Sequence, residues 1–273
     1  MDITLLGTGN PLPDPDRAGA ATLVRAGGLL LLVDAGRGVC MRLAAAGVLP
    51  LQLHAVLLTH LHSDHICDLN DVVTTRWVMA PVPMPLPIVG PPGTAAVVAG
   101  MEAMLAPDVG YRIAHHDDLN EPPQLDVREV STGVAFEQGD VRVLAAGTDH
   151  KPVEPTIGFR VEHDGKAVVL GGDGVPCDGL DELCRGADVY VQTVLREDLV
   201  RLVPSARFND ILDYHSSVEQ AAQTAAKAGV KTLVLTHQIP SPAPGSDDEW
   251  RAAAAAHFDG EIVCGHDLTT VSC

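Results

Sequence analysis

Apolar and polar positions fall into short, punctuated runs along the 273-residue chain. Ile3–Gly7 is an apolar run closed by Gly7-Thr8-Gly9 and a Pro/Asp loop from Asn10 to Asp16, and it predicts a strand. Thr22–Arg25 and Leu29–Val33 flank Gly27-Gly28, the signal of a β-hairpin. That hairpin ends in Asp34-Ala35-Gly36, and a helix is expected from about Gly38 to Ala46. Ala55–Thr59 is a continuous apolar strand that runs into His60. Prolines at 81, 83, 85, 87, 91 and 92 exclude a helix between Ala80 and Pro92. That stretch is expected as an extended surface connection leading to a helix from Thr94 to Leu105.

The second half repeats the plan. A strand over Val141–Ala145 is followed by Thr156–Glu162 and Ala167–Leu170, which flank Asp164-Gly165, another hairpin signal. This hairpin also runs to an aspartate before a glycine, Asp173-Gly174, and the apolar strand Thr232–Leu235 again ends in Thr-His, Thr236-His237. Two halves with the same order predict a pseudo-symmetric sandwich whose functional residues share one edge. Two helix starts carry capping boxes, Ser216-Ser217-Val218-Glu219 and Ser246-Asp247-Asp248-Glu249. The first helix should reach about Ala228 and stop at Gly229, and the second should reach about His257. No linker or low-complexity stretch divides the chain, so residues 1–273 are expected to form a single domain.

Composition narrows the function. Apolar residues make up 46% and charged residues 20%, enough for a sizeable core. With 18 basic against 36 acidic residues the net charge is −18, which argues against a broad phosphate-binding surface. Aromatics at 3% supply little base stacking. The longest apolar runs fall far short of a membrane span, and Met1-Asp2-Ile3-Thr4 carries no basic leader, so no membrane partner and no signal peptide are expected. Six cysteines without CxxC spacing fit reduced thiols in a cytoplasm. Cys67 is expected to be a buried, inert thiol.

The sharpest chemical signal is Thr59-His60-Leu61-His62-Ser63-Asp64-His65, three imidazoles and a carboxylate directly after a strand. In an extended strand end His60 and His62 point the same way. A turn into a helix would then let Asp64 and His65 face a second position. Nitrogen and carboxylate donors in this mixture suit Zn²⁺, with Mn²⁺ as the alternative. Two ions need further ligands. His150 and His237 each follow a strand, and Asp173 follows a Gly-Gly turn from which a carboxylate can bridge two cations. His60, His62 and His150 would hold one ion, Asp64, His65 and His237 the other, with Asp173 between them.

The segment His60–His65, His150 ahead of Glu154–Phe159, Gly171-Gly172-Asp173 and Thr236-His237 together resemble the metallo-β-lactamase superfamily. Within it, Leu6-Gly7-Thr8-Gly9…Arg17 and His215-Ser216-Ser217…Gln220-Ala221-Ala222 resemble the ribonuclease Z-like phosphodiesterases. The similarity runs in order along nearly the whole chain. It implies an α/β fold, a four-layer αβ/βα sandwich with two zinc ions per chain at one edge, and a homodimer. It further implies that Asp64 is both ligand and proton acceptor for the attacking water. His215 would be the non-ligand histidine that assists the leaving oxygen, and Asp34 would orient a ligand histidine.

Departures from that branch bear on the substrate. Only 23 positions separate His150 from Asp173, too few for the basic arm that grips tRNA in the family. The segment Val191-Gln192-Thr193-Val194 stands where the family has a glutamate supporting the catalytic histidine, and Gln238-Ile239-Pro240-Ser241 replaces its phosphate-side residues. The expected activity is therefore a dinuclear zinc phosphodiesterase using metal-activated hydroxide. Its substrate would be a small or cyclic phosphodiester, or a tRNA 3′ end. The charge balance favours the small diester and predicts weak tRNA binding with little salt dependence. A carboxyl-ester, lactone or thioester hydrolase is the alternative. A non-catalytic metal staple is the least favoured, because structural zinc sites are closed and usually rich in thiolates.

Overall fold

A computed structural model describes residues 1–273. The first half supplies strands β1 (Asp2–Gly7), β2 (Ala21–Ala26), β3 (Leu29–Val33), β4 (Ala55–Leu57), β5 (Leu86–Gly90) and β6 (Leu125–Glu129). The second half supplies β7 (Gly133–Gln138), β8 (Val141–Gly147), β9 (Ile157–His163), β10 (Lys166–Leu170), β11 (Val189–Leu195), β12 (Thr232–Ile239), β13 (Glu261–Cys264) and β14 (Thr270–Ser272). They form two seven-stranded sheets, in the orders β14-β1-β2-β3-β4-β5-β6 and β13-β12-β11-β10-β9-β8-β7. In each, an antiparallel hairpin (β2–β3, β9–β10) is followed by three parallel strands.

Helices cover both outer faces: α1 (Val39–Ala45), α2 (Ser63–Ile66), α3 (Leu69–Met79) and α4 (Thr94–His115) in the first half. The second half carries α5 (Asp178–Cys184), α6 (Glu197–Val200), α7 (Ala206–Asn209), α8 (Val218–Ala228) and α9 (Asp247–Ala255). Strand alternation explains why Leu29–Val33 is apolar throughout. Leu29, Leu31 and Val33 point into the core between the sheets, whereas Leu30 and Leu32 face the layer of α1, α3 and α4. Val168 and Leu170 likewise point inward, and Ala167 and Val169 outward toward α5, α8 and α9. Three apolar layers between four structural layers make the αβ/βα sandwich.

Several expectations are corrected. The proline-rich stretch holds a central strand, β5, rather than a surface connection. Its ladder to β4 begins at Ile88, so the missing N–H of Pro87 falls before any hydrogen bond is needed there. Helix α4 passes Leu105 and runs to His115 with Pro107 inside it, because a proline forfeits one hydrogen bond without having to end a helix. The capping box of α8 is shifted by one residue: Ser217 accepts from the Gln220 N–H, and Gln220 Oε1 accepts from the Ser217 N–H. Ser216 is free to donate to the Gly174 carbonyl. Ser246 donates back to the Ala243 carbonyl instead of capping α9, which ends at Ala255. Cys67 is exposed. The pseudo-symmetry holds at the level of the sheets, but the two Thr-His strands are not equivalent. The counterpart of β4 is β11, and Thr236-His237 lies one strand further out, on β12.

Candidate metal centre

The edge where the two halves meet collects every expected site residue. His60 and His62 follow β4, and Asp64 and His65 lie on α2. His150 follows β8, and Asp173 sits in the turn between β10 and α5. His215 precedes α8, and His237 lies on β12 at a register shift between β11 and β12. The shift and the left-handed backbone of His237 (φ 47°) turn its side chain off the sheet face and into the site. Gly172 permits the approach of the halves: its φ is 66°, and a Cβ there would meet the Thr59 Cβ at 2.9 Å.

Two groups of donors result. His60, His62, His150 and Asp173 form one, and Asp64, His65 and His237 the other, each with its donor atoms within 4.8 Å of one another. Asp173 Oδ2 faces both, lying 3.8 Å from His60 Nε2, 3.9 Å from His150 Nε2, 3.4 Å from His65 Nε2 and 3.7 Å from His237 Nε2. Asp64 Oδ2 lies 3.1 Å from His237 Nε2 and 3.7 Å from His65 Nε2. His215 Nε2 approaches Asp173 Oδ2 at 3.3 Å, so it stands at the rim of both groups.

A hydrogen-bonded outer layer aims these donors. Asp34, in the left-handed region at φ 62°, accepts from His65 Nδ1 at 2.8 Å and from the Thr59 N–H at 2.8 Å. The Thr59 hydroxyl donates to the same carboxylate at 2.9 Å, which leaves its oxygen to accept from His60 Nδ1 at 3.0 Å. One aspartate thus fixes two histidines, directly and through a hydroxyl, with their Nε2 atoms turned to the centre. His150 Nδ1 donates to the Tyr214 carbonyl at 2.7 Å, and His215 Nδ1 to the Ile211 carbonyl at 3.3 Å. These carbonyls are anchored by Phe208, Ile211 and Leu212, packed on Leu195, Val200 and Ile239.

Burial and neighbouring charge set the protonation. Burial pushes His60 and His62 below the usual histidine range and His150 down to about 4. Burial acts the same way on His65, but Asp173 and Asp34 beside it carry it well above that range. For His237, burial is outweighed by Asp173 and by the hydrogen bond to Asp64. Asp173 is buried yet held well below the usual carboxylate range by His237 and His65, and Asp64 is held down against its burial by His237 and His65. Ionised buried carboxylates draw protons onto the nearest imidazoles; they call for positive charge. His65 Nε2 is buried and has no hydrogen-bond partner. The donor set and that orphaned nitrogen fit divalent cations, which would satisfy the carboxylates and the lone pair together.

The two groups contain all seven residues expected as ligands, but much of the outer layer goes unseen in the sequence. Thr59 stood unremarked beside the histidine motif, and nothing local marks the Tyr214 and Ile211 carbonyls. Gln192 and Thr193, read as the loss of support for His215, lie on β11 instead: Gln192 Nε2 donates to the Gly172 carbonyl, and Thr193 donates to Asp173.

Comparison with known proteins agrees with this centre. Residues 30–238 match the family model for the β-lactamase superfamily domain. Ribonuclease Z of Mycolicibacterium paratuberculosis is 58% identical over 99% of this chain and 98% of its own length. Ribonuclease Z of Mycolicibacterium gilvum is also 58% identical, over 99% of this chain and 96% of its own. Among solved structures, the metallo-β-lactamase fold protein YhfI of Bacillus subtilis superposes with a TM-score of 0.74 at 22% identity, covering 99% of this chain and 98% of its own. The short form of human tRNase Z superposes with a TM-score of 0.74 at 23% identity, covering 100% of this chain and 99% of its own. With a full-length match of this strength and a divalent-metal donor set intact, this chain belongs to the ribonuclease Z family of the β-lactamase superfamily and is a metal-dependent hydrolase.

Proposed function

We propose that this chain hydrolyses a phosphodiester bond of RNA near the 3′ end of a tRNA precursor, using two Zn²⁺ ions. The observation that carries the metal reading is the position of Asp173 Oδ2, within 3.4–3.9 Å of imidazole nitrogens from both donor groups. His60, His62 and His150 would hold one ion, Asp64, His65 and His237 the other, and Asp173 would bridge them. Bound divalent ions would supply an acidified water and positive charge facing the phosphate. Asp64 then accepts the proton of the attacking water. His215, outside both groups and held at Nδ1 by the Ile211 carbonyl, keeps Nε2 for proton delivery to the leaving oxygen.

The RNA substrate is supported by the relatives. Their length matches this chain, so the missing basic arm does not separate it from proteins named ribonuclease Z. This outweighs the preference for small diesters drawn from the net charge of −18. We extend the reading to a single-domain, cytoplasmic homodimer. Six free cysteines fit a reducing compartment, and no helix is long and apolar enough to cross a membrane. Exposed Val82, Met104 and Tyr111 offer apolar surface to a second copy.

Elemental analysis of protein purified without chelator is expected to find about two divalent equivalents per chain. His215→Ala should keep both and lose about 10²–10⁴-fold in kcat, with KM little changed. Loss of an ion in that variant would make His215 a ligand and overturn the assignment.

A further inference from the structure

We infer that Thr193 is a positioning residue for the carboxylate of Asp173; the inference rests on the reading of Asp173 as the bridge between the two metals. Its hydroxyl donates to Asp173 Oδ1 at 2.7 Å, and both residues are 3% exposed. A carboxylate on a turn can rotate about its Cβ–Cγ bond and present either oxygen, or both, to a cation. With Oδ1 held from the side of β11, only Oδ2 faces the histidines of both groups. The hydroxyl therefore selects a one-oxygen bridge and fixes the carboxylate before any ion arrives. The neighbouring Gln192 steadies the same turn: its Nε2 donates to the Gly172 carbonyl at 3.1 Å while its Oε1 accepts from the Tyr190 hydroxyl at 2.8 Å.

The pseudo-symmetry of the sheets supports the same assignment independently. In the first half the last residue of β4 paired with β3 is Leu57, opposite Val33, and Thr59 lies two residues beyond. In the second half the last residue of β11 paired with β10 is Val191, opposite Leu170, and Thr193 lies two residues beyond. Thr59 and Thr193 therefore occupy corresponding places, and each hydroxyl holds a buried aspartate that follows the preceding hairpin. Thr59 acts on His60 directly and shares Asp34 with His65. Thr193 acts on the bridge itself.

The test is competition of the full-length, zinc-loaded protein against a chromophoric chelator, for wild type, Thr193→Val, Thr193→Ser and Asp173→Ala. Thr193→Val, nearly isosteric but without the donor, is expected to weaken zinc retention by about 10–100-fold. Thr193→Ser should restore wild-type retention, and Asp173→Ala should fail to retain both ions. Wild-type retention by Thr193→Val would overturn the inference, as would a Thr193→Ser as weak as Thr193→Val, which would make the methyl group responsible. If the valine variant does not fold, Thr193→Ala compared with Thr193→Ser asks the same question. Full retention of both ions by Asp173→Ala would instead overturn the bridging reading, a separate failure.

Discussion

At the scale of single residues, the centre is built by carboxylates and hydroxyls that turn histidines, and Asp34 is the most heavily used of them. It accepts from the Thr59 N–H, from the Thr59 hydroxyl and from His65 Nδ1. Asp34→Asn keeps one acceptor oxygen but sets an amide N–H against a donor. Zinc affinity should fall by about 10–100-fold, measured by chelator competition, while the far-ultraviolet circular dichroism stays unchanged. Unchanged affinity would show that His65 is aimed by packing alone. The histidine motif was legible because its donors are adjacent in the chain. The hydrogen bond from His150 to the Tyr214 carbonyl spans 64 residues and uses a backbone atom that every residue possesses, so no residue type could announce it.

At the scale of elements, hairpins and helix ends were read where turn chemistry is local. The prolines excluded a helix and left an extended chain, but which side of that chain would carry hydrogen bonds, and so whether it could join a sheet as β5, is not written in the local sequence. Parallel strands also need pins between distant segments. Asp188, at the head of β11, accepts from the Ala167 N–H and from Lys166 and Lys231, tying β10 to the start of β12. Burial works against its charge, but Lys231, the Ala167 N–H and Lys166 hold it at about 2 against an ordinary 3.8. A depressed carboxylate stabilises the fold above its unfolded pKa and ceases to do so as pH falls through the folded value. Asp188→Asn should therefore cost about 1 kcal/mol at pH 7, because both lysines reach into solvent, which screens the pairs. The deficit, read from denaturant midpoints, should shrink between about pH 4 and pH 2. A deficit independent of pH would mean that the ion pairs contribute nothing and only shape is lost.

At the scale of the whole molecule, the sandwich brings two similar halves together so that neither contains a complete centre. The first half supplies His60, His62, Asp64 and His65, and the second supplies His150, Asp173, His215 and His237. The repeat was legible in the order of turns and strands. Which strand matched which was not, because register depends on pairing across the sheet, and this hid the correspondence of Thr59 with Thr193. Net charge was read correctly as a bulk quantity, 18 basic against 36 acidic residues, but it does not choose a substrate when buried carboxylates gather divalent cations at one edge. The most direct test of the account is incubation of a tRNA precursor bearing a 3′ extension with the zinc-loaded protein, wild type and Asp64→Ala, and mapping of the products. The account predicts a single cut near the 3′ end by the wild type and none by Asp64→Ala. An intact precursor under conditions where the wild type hydrolyses small phosphodiesters would contradict it.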